Sequence, residues 1–170
     1  MSYPVIRTDL MTGTDVGAGL VSLRYCTGTK GTYVPAEIPN GSVVKLVELE
    51  ENNREVWVAT DVAANDKLSD VVIVASVETI YDERKHNLDE FTNEANAIAR
   101  GFRFYSGNMF SLTADAFADT TDLKKGAIVE LAAGHKLKAV KTATASSTTI
   151  GKVVAVEIAG RYTYYVIKVD

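Results

Sequence analysis

The sequence predicts an all-β protein with at most one short helix, built as two small sandwich- or barrel-like modules behind an extended N-terminal arm. Three observations predict it. Apolar and polar residues alternate over short runs, a period of two that belongs to strands. Glycine, proline and asparagine interrupt these runs often enough to leave room only for short elements joined by turns. The chain also repeats a phrase: Gly41-Ser-Val-Val-Lys-Leu46 returns as Gly126-Ala-Ile-Val-Glu-Leu131, each after a polar turn, Ile38-Pro-Asn40 or Leu123-Lys-Lys125. Each leads to a second apolar-rich run and then a third, Val71-Val-Ile-Val-Ala75 in one case and Val153-Val-Ala-Val156 in the other. Gly31-Thr-Tyr-Val34 and Asn108-Met-Phe-Ser-Leu112 hold similar places upstream, the order expected of an internal duplication.

Residues 1–20 carry Gly13, Gly17 and Gly19 and only scattered apolar side chains, so they read as an arm that cannot fold by itself. The first module spans residues 21–80. Alternation begins at Leu20 and runs to Tyr25, and Gly28, Gly31, Pro35 and Pro39 mark turns. Strands follow over Val43 to Leu49 and Val56-Trp-Val-Ala59, with Trp57 the largest anchor, and over Val71 to Ile80. Residues 81–100 form a linker. Within it Leu88, Phe91, Ala95 and Ile98 fall at helical steps, Asn87 and Glu90 have capping-box spacing, and Gly101 could end a helix. Three asparagines and a threonine weaken that helix, and Ala97 to Tyr105 reads equally as a strand.

The second module spans residues 101–170. Phe102 to Tyr105 and Asn108 to Leu112 flank Ser106-Gly107, a hairpin signal. Lys125-Gly126 turns into Ala127 to Leu131, Ala133-Gly134 into Lys136 to Val140, and a Ser/Thr-rich loop covers Thr142 to Thr149. A final pair of strands, Gly151 to Ile158 and Arg161 to Val169, meets at the Ala159-Gly160 turn.

Composition narrows the function. The 170 residues are 46% hydrophobic and 24% charged, enough for a real core, and the formal net charge is -4. That balance argues against a general nucleic-acid partner, which needs a basic face. Residues 1–80 hold six Lys/Arg against eleven Asp/Glu, whereas residues 101–170 hold nine against six, so the modules differ in sign. The single cysteine, Cys26, excludes an intramolecular disulfide and reads as a small buried hydrophobe. No signal peptide is evident and no run approaches the ~18 apolar residues of a membrane span. The expectation is a soluble chain with no membrane partner, in which Asn40-Gly-Ser42 is a turn and not a glycan acceptor.

Catalytic patterns are not evident. His86 and His135 sit in separate polar turns without metal-ligand spacing, and Gly17-Ala-Gly19 lacks the strand and third glycine of a dinucleotide loop. Asp82-Glu83 and Glu50-Glu51 are neighbours in sequence, which on a strand sends them to opposite faces. The chain is therefore expected to use no cofactor, no metal and no catalytic residue. Phe102, Phe104, Tyr105, Phe110, Tyr162, Tyr164 and Tyr165 cluster in the basic half, as a ligand groove or as core.

Lys125-Gly-Ala-Ile-Val-Glu-Leu131, Gly134-His-Lys-Leu-Lys-Ala-Val140 and Ile150-Gly-Lys-Val-Val-Ala-Val156 resemble the glycine-started strands of tailed-bacteriophage capsid decoration, or cement, proteins. Ala99-Arg-Gly-Phe-Arg-Phe104 before Gly107-Asn-Met-Phe110 shares that character. The resemblance covers residues 97–170, and the first module by internal analogy. It implies a virion protein on the capsid surface, assembled in the host cytoplasm, that stabilises contacts between capsomers. Its implied partners are the major capsid protein and other copies of itself, as in a trimer. The arm residues Tyr3, Val5, Ile6, Leu10 and Met11 are assigned to that interface, and deleting residues 1–19 is expected to leave a folded protein that no longer binds shells. A ligand- or glycan-binding virion module and a trimeric β-barrel enzyme with a site between subunits are the alternatives.

Overall fold

The computed structural model describes residues 2–8, 19–85 and 87–170. It is all-β, with eleven strands in two sheets and short 3-10 turns as the helical elements described. The first sheet holds β1 (Leu20–Thr27), β2 (Val34–Pro35), β3 (Val43–Glu50), β4 (Asn53–Thr60), β5 (Val71–Val74) and β6 (Ala99–Arg103). Its order is β2-β1-β4-β3-β5-β6, and β6 pairs back onto β1, so five strands close into a barrel with β2 as a short flap. Every pairing is antiparallel except β1 with β4, which run parallel from Ser22↔Val56 to Tyr25↔Ala59.

The second sheet holds β7 (Met109–Leu112), β8 (Ile128–Leu131), β9 (Leu137–Val140), β10 (Thr149–Ala159) and β11 (Tyr162–Val169), in the order β7-β11-β10-β8-β9. Past β7 the chain makes a 3-10 turn at Ala114–Ala116, and Phe117 then bridges Leu137 of β9 in parallel. The Ala118 amide donates to the Leu137 carbonyl at 2.8 Å, which brings the two ends of this sheet together.

The two barrels share one topology. Taken around each barrel, β4-β3-β5-β6-β1 corresponds to β9-β8-β10-β11-β7, each with one parallel contact where the ends meet. The repeated phrase holds equivalent places. Gly41 and Gly126 both have positive φ, at 78° and 90°, where glycine carries no side-chain penalty. The Gly41 amide donates to Val74 and the Val74 amide to Ser42; the Gly126 amide donates to Val153 and the Val153 amide to Ala127. The third apolar runs named by the sequence are thus the strands beside the glycine-started ones in both barrels.

The linker differs from the helical expectation. Asn87 and Glu90 do form a capping box, but the turn they start is the three-residue 3-10 turn Leu88–Glu90. Asn93 instead pairs with Ile38 through both backbone groups, and Asn96 takes a positive φ of 69° that no α-helix contains. The chain is extended again at Ala99, in the alternative strand, and that strand closes the first barrel. The Phe102 to Leu112 hairpin does not form either. Ser106-Gly107 is a turn, but β6 before it pairs with β1 and β5, while β7 after it pairs with β11.

β5 explains how the barrels join. All four of its residues are buried; Val72 and Val74 enter the first interior with Leu23, Val44 and Ala99, whereas Val71 and Ile73 enter a core shared with Phe110, Leu131 and Ile167. Alternation along one strand therefore supplies both cores. Each such side chain contributes about 1.5–3 kcal/mol of burial. Between the barrels, Val62 and Gly134 exchange backbone hydrogen bonds, and Val43 donates to His135 at 2.9 Å.

Candidate functional site

The arm was the sequence's candidate surface, and its described part runs along the edge of β7 and bridges it at Ile6. Arg7 donates its amide to the Ser111 carbonyl at 3.0 Å, and Thr113 donates to Val5 at 3.0 Å. The Val5 amide in turn donates to the Thr113 hydroxyl. Ile6 bridges Leu112 and belongs to the shared core. Val5 and Ile6 are each only 2% exposed, so in this fold they offer no surface to a partner. Tyr3 is half-buried, and Leu10 and Met11 lie outside the described residues. Deleting residues 1–19 would uncover the core behind Val5 and Ile6, so that truncation tests folding before it tests binding.

Asp89 holds the arm from the other side. It sits in the 3-10 turn of the linker, and its backbone carbonyl accepts from the Tyr3 amide at 2.9 Å. Its carboxylate accepts from Tyr162 Oη and from Arg161 Nη2, both at 2.8 Å, and from Ser2 Oγ at 3.5 Å. Three distant segments thus meet on one side chain. Desolvation pushes the Asp89 carboxyl up, but the Tyr162 hydroxyl, its own backbone amide and the Arg161 guanidinium outweigh it and hold it below the ordinary aspartate range. Desolvation and the same bond raise the Tyr162 phenol.

The aromatic cluster is mostly structural. Phe104 and Phe110 meet edge to face, with centroids 5.4 Å apart, in the shared core. Tyr164 is 2% exposed and lies under the Arg7 guanidinium, and Arg161 covers the Tyr162 ring. Of the seven rings only Tyr105 is exposed.

Other polar groups also join segments. Asn40, buried, donates to the Ser76 carbonyl and accepts from the Ser76 amide and Asn93 Nδ2. That places the glycan-acceptor pattern in the interior, as a turn. Tyr25 Oη donates to Asp61 at 2.7 Å, and Asp61 also lies 3.5 Å from His135 Nδ1 across the seam between barrels. Burial, with Asp61 beside it, raises the Tyr25 phenol far above its usual value. Glu130 is fully buried on β8, where one carboxylate oxygen accepts the Thr144 amide at 2.5 Å and pins the Ser/Thr-rich loop. The sequence analysis singled out neither Asp89 nor Glu130. A glutamate at an apolar strand position was the available signal for the second.

Glu50 pairs with Arg24 and Asp82 with Arg84, and Cys26 is a free, buried thiol that burial raises above its ordinary pKa. His86 lies outside the described residues. Among the described residues no group of three or more His, Cys, Asp or Glu side chains could hold a metal, and no helix is long and apolar enough to cross a membrane. No protein-family description, curated protein or solved structure matches the chain.

Proposed function

We propose that this chain is a structural virion protein that binds the outside of a bacteriophage capsid and stabilises contacts between capsomers. The observation that carries this reading is what three polar side chains hold together. Asn40 and Glu130, both buried, and the half-buried Asp89 each join separate stretches of chain. Such an investment makes a stiff body. Stiffness favours a protein that works by contact, since fewer degrees of freedom are lost on binding and repetition over a shell multiplies weak contacts. The strands that carry the resemblance to decoration proteins are β8, β9 and β10 of the second barrel.

With Val5 and Ile6 inside the fold, the arm's share of the interface rests on Tyr3, Leu10 and Met11. The test is saturable co-sedimentation with expanded bacteriophage shells stripped of accessory proteins. Stoichiometric binding that is lost in Leu10→Asp/Met11→Asp, with folding intact, is the expected result. Binding that survives this double substitution removes the arm from the interface, and failure to bind any shell overturns the function.

A further inference from the structure

We infer that Asn40-Gly41 is a self-modification site that folding closes: in the unfolded chain it deamidates, and the product no longer folds. It is the only asparagine followed by glycine in the sequence. The pairing matters because glycine has no side chain to crowd its amide nitrogen or to restrict its backbone. In an unfolded chain the deprotonated Gly41 nitrogen attacks Asn40 Cγ. A bond forms between them, the bond from Cγ to Nδ2 breaks, and Nδ2 leaves as ammonia with a proton from water. The product is a five-membered succinimide. Water then opens this ring at either carbonyl, which gives aspartate or, with the main chain now routed through the side chain, isoaspartate.

In the folded protein both reacting groups are already held. The Gly41 amide donates to the Val74 carbonyl at 2.7 Å. Asn40 is 2% exposed, and every hydrogen-bonding position of its side chain is filled. Nδ2 donates to the Ser76 carbonyl at 2.8 Å and to Glu78 Oε1 at 3.3 Å; Oδ1 accepts from the Ser76 amide at 2.9 Å and from Asn93 Nδ2 at 3.1 Å. Ring closure must turn Cγ toward the Gly41 nitrogen and break these bonds where water does not replace them. The same contacts exclude the product. Aspartate has no N–H for the Ser76 carbonyl, and its charge would stand beside the Glu78 carboxylate in a buried place. Isoaspartate adds a carbon to the main chain just before the Gly41 amide, which displaces both the Gly41 and the Ser42 bonds to Val74. Time spent unfolded is thereby recorded in a bond that refolding cannot reverse.

This goes beyond the capsid reading and is tested without a shell. The whole protein is kept in mildly alkaline buffer, native in one sample and unfolded in guanidinium chloride in another, and the peptide containing residue 40 is followed by mass. Deamidation there is expected to run at least about tenfold faster in the unfolded sample, since the native chain reacts only through its rare openings. When the denaturant is removed, the deamidated molecules should collect in the fraction that fails to refold, and the unmodified ones in the folded fraction. Gly41→Ala, followed only in denaturant so that its folding does not matter, should slow the reaction because its Cβ crowds the attacking nitrogen. Equal rates in the native and unfolded samples, deamidated chains that refold as well as unmodified ones, or an unchanged rate in Gly41→Ala would each overturn the proposal.

Discussion

The two barrels have the same strand order and are stabilised differently. The first is closed by four consecutive parallel pairs between β1 and β4 and fills its interior with its own side chains, from Leu23 and Tyr25 to Val74 and Ala99. The second is closed by the single bridge Phe117↔Leu137, and its core is completed by Val43, Val62, Val71 and Ile73 from the first barrel and Ile6 from the arm. One topology can therefore be held together from within or by what packs against it. The second barrel is the dependent partner.

The sharpest way to break the comparison lies at equivalent positions in β5 and β10. Register places Val72 opposite Val44, and Gly151 opposite Val129, so Gly151 stands where the first barrel has a buried valine. A Cβ on Gly151 would sit 1.9 Å from the Lys168 carbonyl oxygen, backbone that cannot step aside without breaking the β10–β11 pairing. Gly151→Ala is expected to destabilise by about 3 kcal/mol or more, and Val72→Ala by about 2 kcal/mol through the cavity it leaves. Urea unfolding of both variants measures the pair; equal small losses would mean that the barrels tolerate change alike.

Dependence on the arm comes next. Ile6→Ala should cost about 2–4 kcal/mol and raise amide exchange in β7 and β11 more than in β3 and β4. A uniform rise across both barrels would show that they unfold as one unit. The smallest effect is at Asp89. Its folded-state pKa lies below the unfolded value, so its contribution is complete above about pH 4 and fades as the pH falls through the folded value. Exchange of the Tyr3 amide should therefore accelerate in acid relative to that of Gly41, by an amount worth less than about 1 kcal/mol because the Arg161 partner is exposed to solvent screening. Asp89→Asn should remove the difference in pH response.

What the sequence made legible was local or repeated. Glycine before an apolar run marked β3 and β8 because positive φ and strand entry are short-range requirements, and the third runs followed in order. The capping box at Asn87 and Glu90 was real for the same reason. Closure was not legible: the parallel pairing of β1 with β4 depends on strands that β3 separates in the chain. The hairpin at Ser106-Gly107 failed because a good turn does not choose its strands' partners; Phe102 pairs with Leu20 and Ile73, and Phe110 with Ile167. The Asp89 cluster draws on residues 2, 161 and 162, which no window of sequence contains.

The arm also sets an order of events during synthesis. Val5 bonds to Thr113, 108 residues further along the chain. The first barrel has all its strands once Arg103 has left the ribosome, whereas Val5 and Ile6 must wait for β7. At about 5–20 residues per second that wait lasts several seconds. The N-terminal segment is thus a late fastening, made after the body it secures has begun to form, and throughout that interval its apolar residues are open to any other strand edge nearby.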